Sequence, residues 1–122
     1  MSNGQRLAIF AGVVIVAIVG IIIASNSKKS SNAPKTAKVT IDVKNAKPVG
    51  GIKKIELKQG GTLYLTVNSD TADEIHVHAT DQHKEVAKNG TVKFVIKPTG
   101  TGNSEIELEN AKQQIAELTI EP

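Results

Sequence analysis

The sequence predicts an all-β domain, a two-sheet sandwich of seven or eight strands, behind one N-terminal transmembrane helix. Three observations predict it. Leu7 to Ala24 is an eighteen-residue run without a charged side chain. As a helix rising ~1.5 Å per residue it reaches ~27 Å, enough to cross bilayer hydrocarbon. From Ala37 onward apolar residues recur at every second position instead of continuously, the period of a strand with one wet face. These alternating stretches are short and are separated by glycine, proline and asparagine turns, the spacing of a sandwich. A small open barrel satisfies the same periodicity and stays open.

Arg6 precedes the apolar run and Ser25-Asn26-Ser27-Lys28-Lys29 follows it. The run is longer than the apolar part of an ordinary signal peptide, and isoleucine stands before Ala24 where a cleavage site needs a small residue. An uncleaved signal-anchor is the expectation. Arg6 and the amino terminus favour an inside N-terminus, while Lys28 and Lys29 argue the reverse. The export-like layout decides for a single-pass protein whose C-terminal domain lies outside the cytoplasm. Residues 1–29 are then the anchor and its flanks, and residues 30–36 a flexible tether. In the whole polar stretch from Ser25 to Thr36, Ala33 is the one apolar residue besides Pro34, so it builds no core. Residues 37–122 form the domain.

Composition removes several functions. The chain's formal charge of +3 is accounted for by Arg6, Lys28 and Lys29; beyond them lysines and acidic residues balance, arginine is absent, and the aromatics are Tyr64 and Phe94. Phosphate and base recognition need a basic excess, guanidinium forks and stacking platforms, so nucleic acid is not a partner. The absence of cysteine excludes disulfides, thiolate ligands and a thiol nucleophile. No glycine-flanked nucleophile turn and no phosphate loop opening a helix is present, so the protein is not expected to be an enzyme. A branched-aliphatic core leaves no cavity for an organic cofactor.

Taken in order, Val39, Ile41 and Val43 alternate with polar neighbours, and Pro48-Val49-Gly50-Gly51 turns the chain. Ile55 and Leu57 follow before the break at Gln59-Gly60-Gly61. Thr62 to Val67, TLYLTV, is the strongest strand, with Leu63, Leu65 and Val67 on one side. A polar loop runs from Asn68 to Asp73, after which Ile75 and Val77 alternate with Glu74, His76 and His78. A weaker piece near Glu85-Val86-Ala87 leads to the turn Lys88-Asn89-Gly90. Val92, Phe94 and Ile96, then Ile106 and Leu108, then Leu118 and Ile120 point inward in the remaining strands. Glu105, Glu107 and Glu109 face outward. One shared core is expected from Leu63, Leu65, Val67, Ile75, Val77, Val92, Phe94, Ile96, Ile106, Leu108, Leu118 and Ile120.

Gly60-Gly61-Thr62-Leu63-Tyr64-Leu65-Thr66-Val67-Asn68-Ser69-Asp70, Asp73-Glu74-Ile75-His76-Val77-His78, Val92-Lys93-Phe94 before Pro98-Thr99-Gly100, and the closing Ala116-Glu117-Leu118-Thr119-Ile120 together resemble cupredoxin-like domains. The likeness covers roughly Val39 to Pro122 and is strongest to bacterial, membrane-attached or secreted members similar to the cupredoxin part of iron-uptake proteins. It implies a Greek-key sandwich. In copper-carrying members one histidine early in a middle strand joins a cysteine, a histidine and usually a methionine around the last loop. Here the first position falls at Glu74 or His76, the cysteine position near Leu108, and the remaining loop on Glu109-Asn110-Ala111-Lys112-Gln113-Gln114. That loop holds no cysteine, histidine or methionine. A blue-copper centre requires the thiolate, so the resemblance implies the fold without that site.

The histidines are the sharpest remaining feature. His76 and His78, two apart on a strand, share a face with Glu74, and His83 lies beyond the Ala79-Thr80-Asp81-Gln82 turn, close enough to fold back. Imidazoles with a carboxylate suit Cu(II), Zn(II) or Ni(II). The same residues also suit an ordinary wet face with cross-strand pairs, and the glutamate row reads as solvated. No repeated calcium-loop spacing occurs. Two functions follow. One is a membrane-tethered, non-catalytic domain serving structural or protein-interaction roles with an unidentified protein partner. The other is a copper- or zinc-binding or handover module built on His76, His78, His83 and Glu74.

Overall fold

Strands form where branched and polar residues alternate, and the computed structural model describes them over residues 32–122; the run from Leu7 to Ala24 lies outside the described residues. Among the described residues no helix is long and apolar enough to cross a membrane. The described residues form nine strands: β1 (Thr36–Lys44), β2 (Lys47–Pro48), β3 (Lys53–Lys58), β4 (Thr62–Ser69), β5 (Asp73–Val77), β6 (Gln82–Val86), β7 (Gly90–Ile96), β8 (Gly102–Leu108) and β9 (Gln113–Glu121). They make two sheets, in the orders β2-β1-β4-β7 and β3-β9-β8-β5-β6. β1 runs parallel to β4 and β3 parallel to β9; the other pairs are antiparallel. This is the two-sheet sandwich, not the open barrel.

The strand beyond the expected eight is the two-residue β2. It returns on β1 through Asn45 and Ala46, both with positive φ (53° and 62°), as a two-residue hairpin turn requires. The chain is already packed before Ala37. Ala33 is buried, Pro34 O accepts the Lys58 N–H at 2.7 Å, and Lys35 O accepts the Thr62 N–H at 2.8 Å. A side chain at Gly61 would run into the Lys35 and Lys58 carbonyls, so the β3–β4 turn needs glycine for close approach.

Both inner faces meet in one core. Leu63, Leu65, Val67, Ile75, Val77, Phe94, Ile96, Ile106, Leu108, Leu118 and Ile120 share it as the alternation predicts, joined by Ile41, Val43, Ile55, Leu57, Val86, Ile115 and Ala116. Val92 departs from the expectation: it is only partly buried against the core. β6 sits at the edge of its sheet, with Val86 its only buried residue. Side chains fasten that edge to the other sheet: Lys84 Nζ donates to Lys93 O at 2.7 Å and Gln82 Nε2 to Val95 O at 3.3 Å. The Lys84 ammonium also stands 5.3 Å from the centre of the Phe94 ring.

Candidate metal centre

β5 is buried on one side and half-exposed on the other. Asp73, Ile75 and Val77 turn inward while Glu74 and His76 turn outward, as a period of two dictates. His76 is flanked by a strand on each side: its partner across β6 is His83 and across β8 is Glu107. His83 therefore belongs to a strand, not to a loop folding back as the sequence suggested. The turn between β5 and β6 brings in a residue that sequence reasoning placed in the turn but gave no role. Asp81, with φ of 53°, takes the left-handed conformation that aspartate tolerates, and its carboxylate reaches back over the strands.

Three atoms converge there. Asp81 Oδ1 lies 3.1 Å from His76 Nε2 and 3.1 Å from His83 Nε2. The other nitrogen of each ring faces a different carboxylate: His76 Nδ1 is 2.6 Å from Glu109 Oε2, and His83 Nδ1 is 3.4 Å from Glu74 Oε2. Carboxylates in those positions hold the proton on Nδ1 and turn Nε2 toward the centre, the usual arrangement behind a metal-bound imidazole. Four ligands at 2.0–2.1 Å around a tetrahedral ion stand about 3.3 Å from one another, close to the spacing present. His76, Asp81 and His83 thus form one group able to hold a metal ion.

The four residues singled out in the sequence divide. His76 and His83 converge. Glu74 stands behind His83 and not at the centre. His78 stacks on His76, with ring centroids 4.0 Å apart, but its Nε2 faces Glu107 Oε2 at 3.4 Å. On its other side His76 stacks on His83 at 3.9 Å, making a three-ring pile walled by Glu74, Asp81, Glu107 and Glu109. With neutral imidazoles the carboxylates leave this face strongly negative.

Burial of His76, whose side chain is 14% exposed, disfavours its charge. Hydrogen bonds to Glu109 and then Asp81 outweigh that and raise its pKa above 6.5. Asp81 is held below the usual carboxylate range, chiefly by the hydrogen bond from His76 and next by that from His83. Both His76 nitrogens face carboxylate oxygens; a cation at the centre competes with any proton on Nε2.

The ligand positions that the resemblance implied do not make a copper centre. Leu108 is fully buried in the core. The loop after it is held by Asp73, whose Oδ1 accepts the Asn110 N–H at 2.8 Å and whose Oδ2 accepts the Ala111 N–H at 3.2 Å. The chain has no cysteine, so the residues present do not fit a thiolate-bound copper.

No family model matches the sequence, and no curated protein sequence matches it. Solved structures do. The metal-binding domain of the Cu(I)-exporting P-type ATPase CopA of Streptococcus pneumoniae, with Cu(I), superposes with a TM-score of 0.58 at 16% identity, covering 70% of this chain and 85% of that one. The multi-copper oxidase of Pediococcus acidilactici gives 0.56 at 16% identity, over 72% of this chain and 26% of that one. The copper nitrite reductase of Nitrosomonas europaea gives 0.57 at 13% identity, over 71% and 42%. At such identities the likeness is one of fold, and the described part of this chain is a cupredoxin-like β-sandwich.

Proposed function

We propose that this protein is a non-catalytic module, tethered to a membrane through residues 7–24 with its domain outside the cytoplasm, that binds a divalent transition-metal ion. The ligands are His76 Nε2, His83 Nε2 and Asp81 Oδ1, with water completing the shell. One observation carries the reading: two imidazole nitrogens from neighbouring strands meet one carboxylate oxygen at 3.1 Å each, while separate carboxylates orient both rings from behind. Nitrogen and oxygen ligands without sulfur suit Cu(II) and Zn(II), copper binding more tightly in the usual order. Copper is also the ion named for the solved proteins that share the fold.

A second reading treats the cluster as a clamp that ties β6 and β8 to β5. The pairing of each histidine with a carboxylate favours it. Titration decides between them. Full-length protein in detergent at neutral pH should take up Cu(II) and Zn(II) with a dissociation constant at or below about 1 μM. Copper should give no intense thiolate charge-transfer band, and one bound ion should be lost in His83→Ala and in Asp81→Ala. A flat titration, or uptake unchanged by both substitutions, leaves the clamp.

A further inference from the structure

The metal reading uses one nitrogen of His76. The other faces Glu109, so far only an orienting carboxylate, and with it a second set of ligand atoms. Glu107 on β8 and Glu109 just after it are two residues apart on the outward face; on and just after β5, so are His76 and His78. The strands pair antiparallel with His76 opposite Glu107; Glu109 lies to one side of that pair, its N–H on Glu74 O, and His78 to the other, its N–H on Glu105 O, so the four side chains flank one cross-strand pair. Their ligand atoms lie within 4.8 Å of one another, with Glu109 Oε2 2.6 Å from His76 Nδ1 and Glu107 Oε2 3.4 Å from His78 Nε2. Two nitrogens and two carboxylate oxygens complete a four-coordinate set without water.

We propose that His76 is a bridging ligand and that this face holds two divalent transition-metal ions. One lies at Nε2 with His83 and Asp81; the other lies at Nδ1 with His78, Glu107 and Glu109. The inference rests on the first site and adds the second.

The placement of His76 produces the arrangement. It is the one histidine on a strand with a neighbour on both sides, and each neighbouring strand presents its ligands to a different edge of the same ring. The first ion displaces the Nε2 proton and the second the Nδ1 proton, leaving an imidazolate between two cations; no electron is transferred. Two dications balance Asp81, Glu107, Glu109 and the imidazolate, which offsets the mutual repulsion of the ions. Metal–nitrogen bonds of 2.0–2.1 Å on either side of one ring put the ions about 6 Å apart.

The test is titration of the full-length protein in detergent with Cu(II) alone, read by bound copper per chain and by electron paramagnetic resonance. Two ions per chain are expected. The integrated signal should rise with the first equivalent and fall with the second, as spins couple through the imidazolate. Glu107→Gln with Glu109→Gln should leave one ion with full intensity, and His83→Ala should also leave one. His76→Ala should remove the coupling whatever copper remains. One ion per chain, lost in His83→Ala and indifferent to the glutamine pair, overturns the bridge and keeps the first site. Two ions with undiminished intensity also overturn the bridge, and no bound copper overturns both sites.

Discussion

Replacing Asp73 by alanine tests how this fold does without the ligands that its last loop lacks. The carboxylate is buried at the start of β5. It accepts the Asn110 and Ala111 N–H groups from 37 and 38 residues away, besides the neighbouring Glu74 N–H at 2.6 Å. Hydrogen bonds to a charged group contribute about 1.5–3 kcal/mol each. Asn110 and Ala111 are exposed, so once released their N–H groups turn to water and the loss stays toward the low end. About 2–4 kcal/mol is expected for the two long-range bonds together. In a domain of this size that lowers the melting temperature by roughly 10–25 °C. Asp73→Asn keeps Oδ1 for Asn110 and Glu74 but sets an amide N–H2 against Ala111, so about half the loss is expected.

The assay is thermal and urea unfolding followed by far-ultraviolet circular dichroism, since the chain has no tryptophan. Metal uptake is measured on the same samples below the transition. Glu109 is fixed separately through its own N–H to Glu74 O at 2.8 Å, so uptake at His76, His83 and Asp81 should persist. A loss under about 0.5 kcal/mol for Asp73→Ala, the range of an ordinary surface change, refutes the reasoning. So do equal losses for alanine and asparagine.

Phe94→Ala should cost about 3–5 kcal/mol, because it empties the largest fully buried side chain in the core; urea midpoints measure it, and a small loss would mean the two sheets close over the gap. Metal-free protein should be most stable between pH 3.8 and 6.5 as far as these groups act. The raised pKa of His76 stabilises the fold fully below 6.5 and is lost as pH rises through its folded value, while the lowered pKa of Asp81 stabilises above 3.8 and is lost as pH falls through its own. Melting scans across pH check this; saturating Zn(II) should reverse the upper limb, since protons and metal compete for His76. If residues 7–24 span a bilayer, the intact chain should stay with membranes through alkaline carbonate washing; release into the soluble fraction removes the tether.

What the sequence disclosed and what it hid divide by the range of the interactions. The inward positions of β4, β5, β8 and β9 follow from a period of two. A buried face repels polar side chains locally, so Leu63, Ile75, Ile106 and Leu118 could be placed without knowing any neighbour. β6 is weak in the sequence because an edge strand with one buried residue has almost no alternation to show. Nothing in the local pattern therefore places His83 on a strand. A turn centred between Ala79 and Thr80 puts it opposite His76, since Val77 pairs with Gln82. Glu107 and Glu109 look like a solvated row in the sequence because their neighbours are β5 residues some thirty positions earlier. That pairing is set by sheet order, which local pattern does not encode.

The same distinction explains how a cupredoxin-like fold without a thiolate presents a group of side chains able to hold a metal ion. The backbone N–H groups of the loop after β8 approach the buried end of β5, where the Asp73 carboxylate accepts them. The fold is thereby completed by hydrogen bonds to Asp73, and the outward face of β5 is relieved of any part in closing the core. His76, His78 and His83 are outside the core cluster, to which their strands contribute Ile75, Val77 and Val86 from the opposite side. Ligands on such a face can change without unfolding the domain. Their geometry is still fixed by the strand register, which sets His76 between His83 and Glu107.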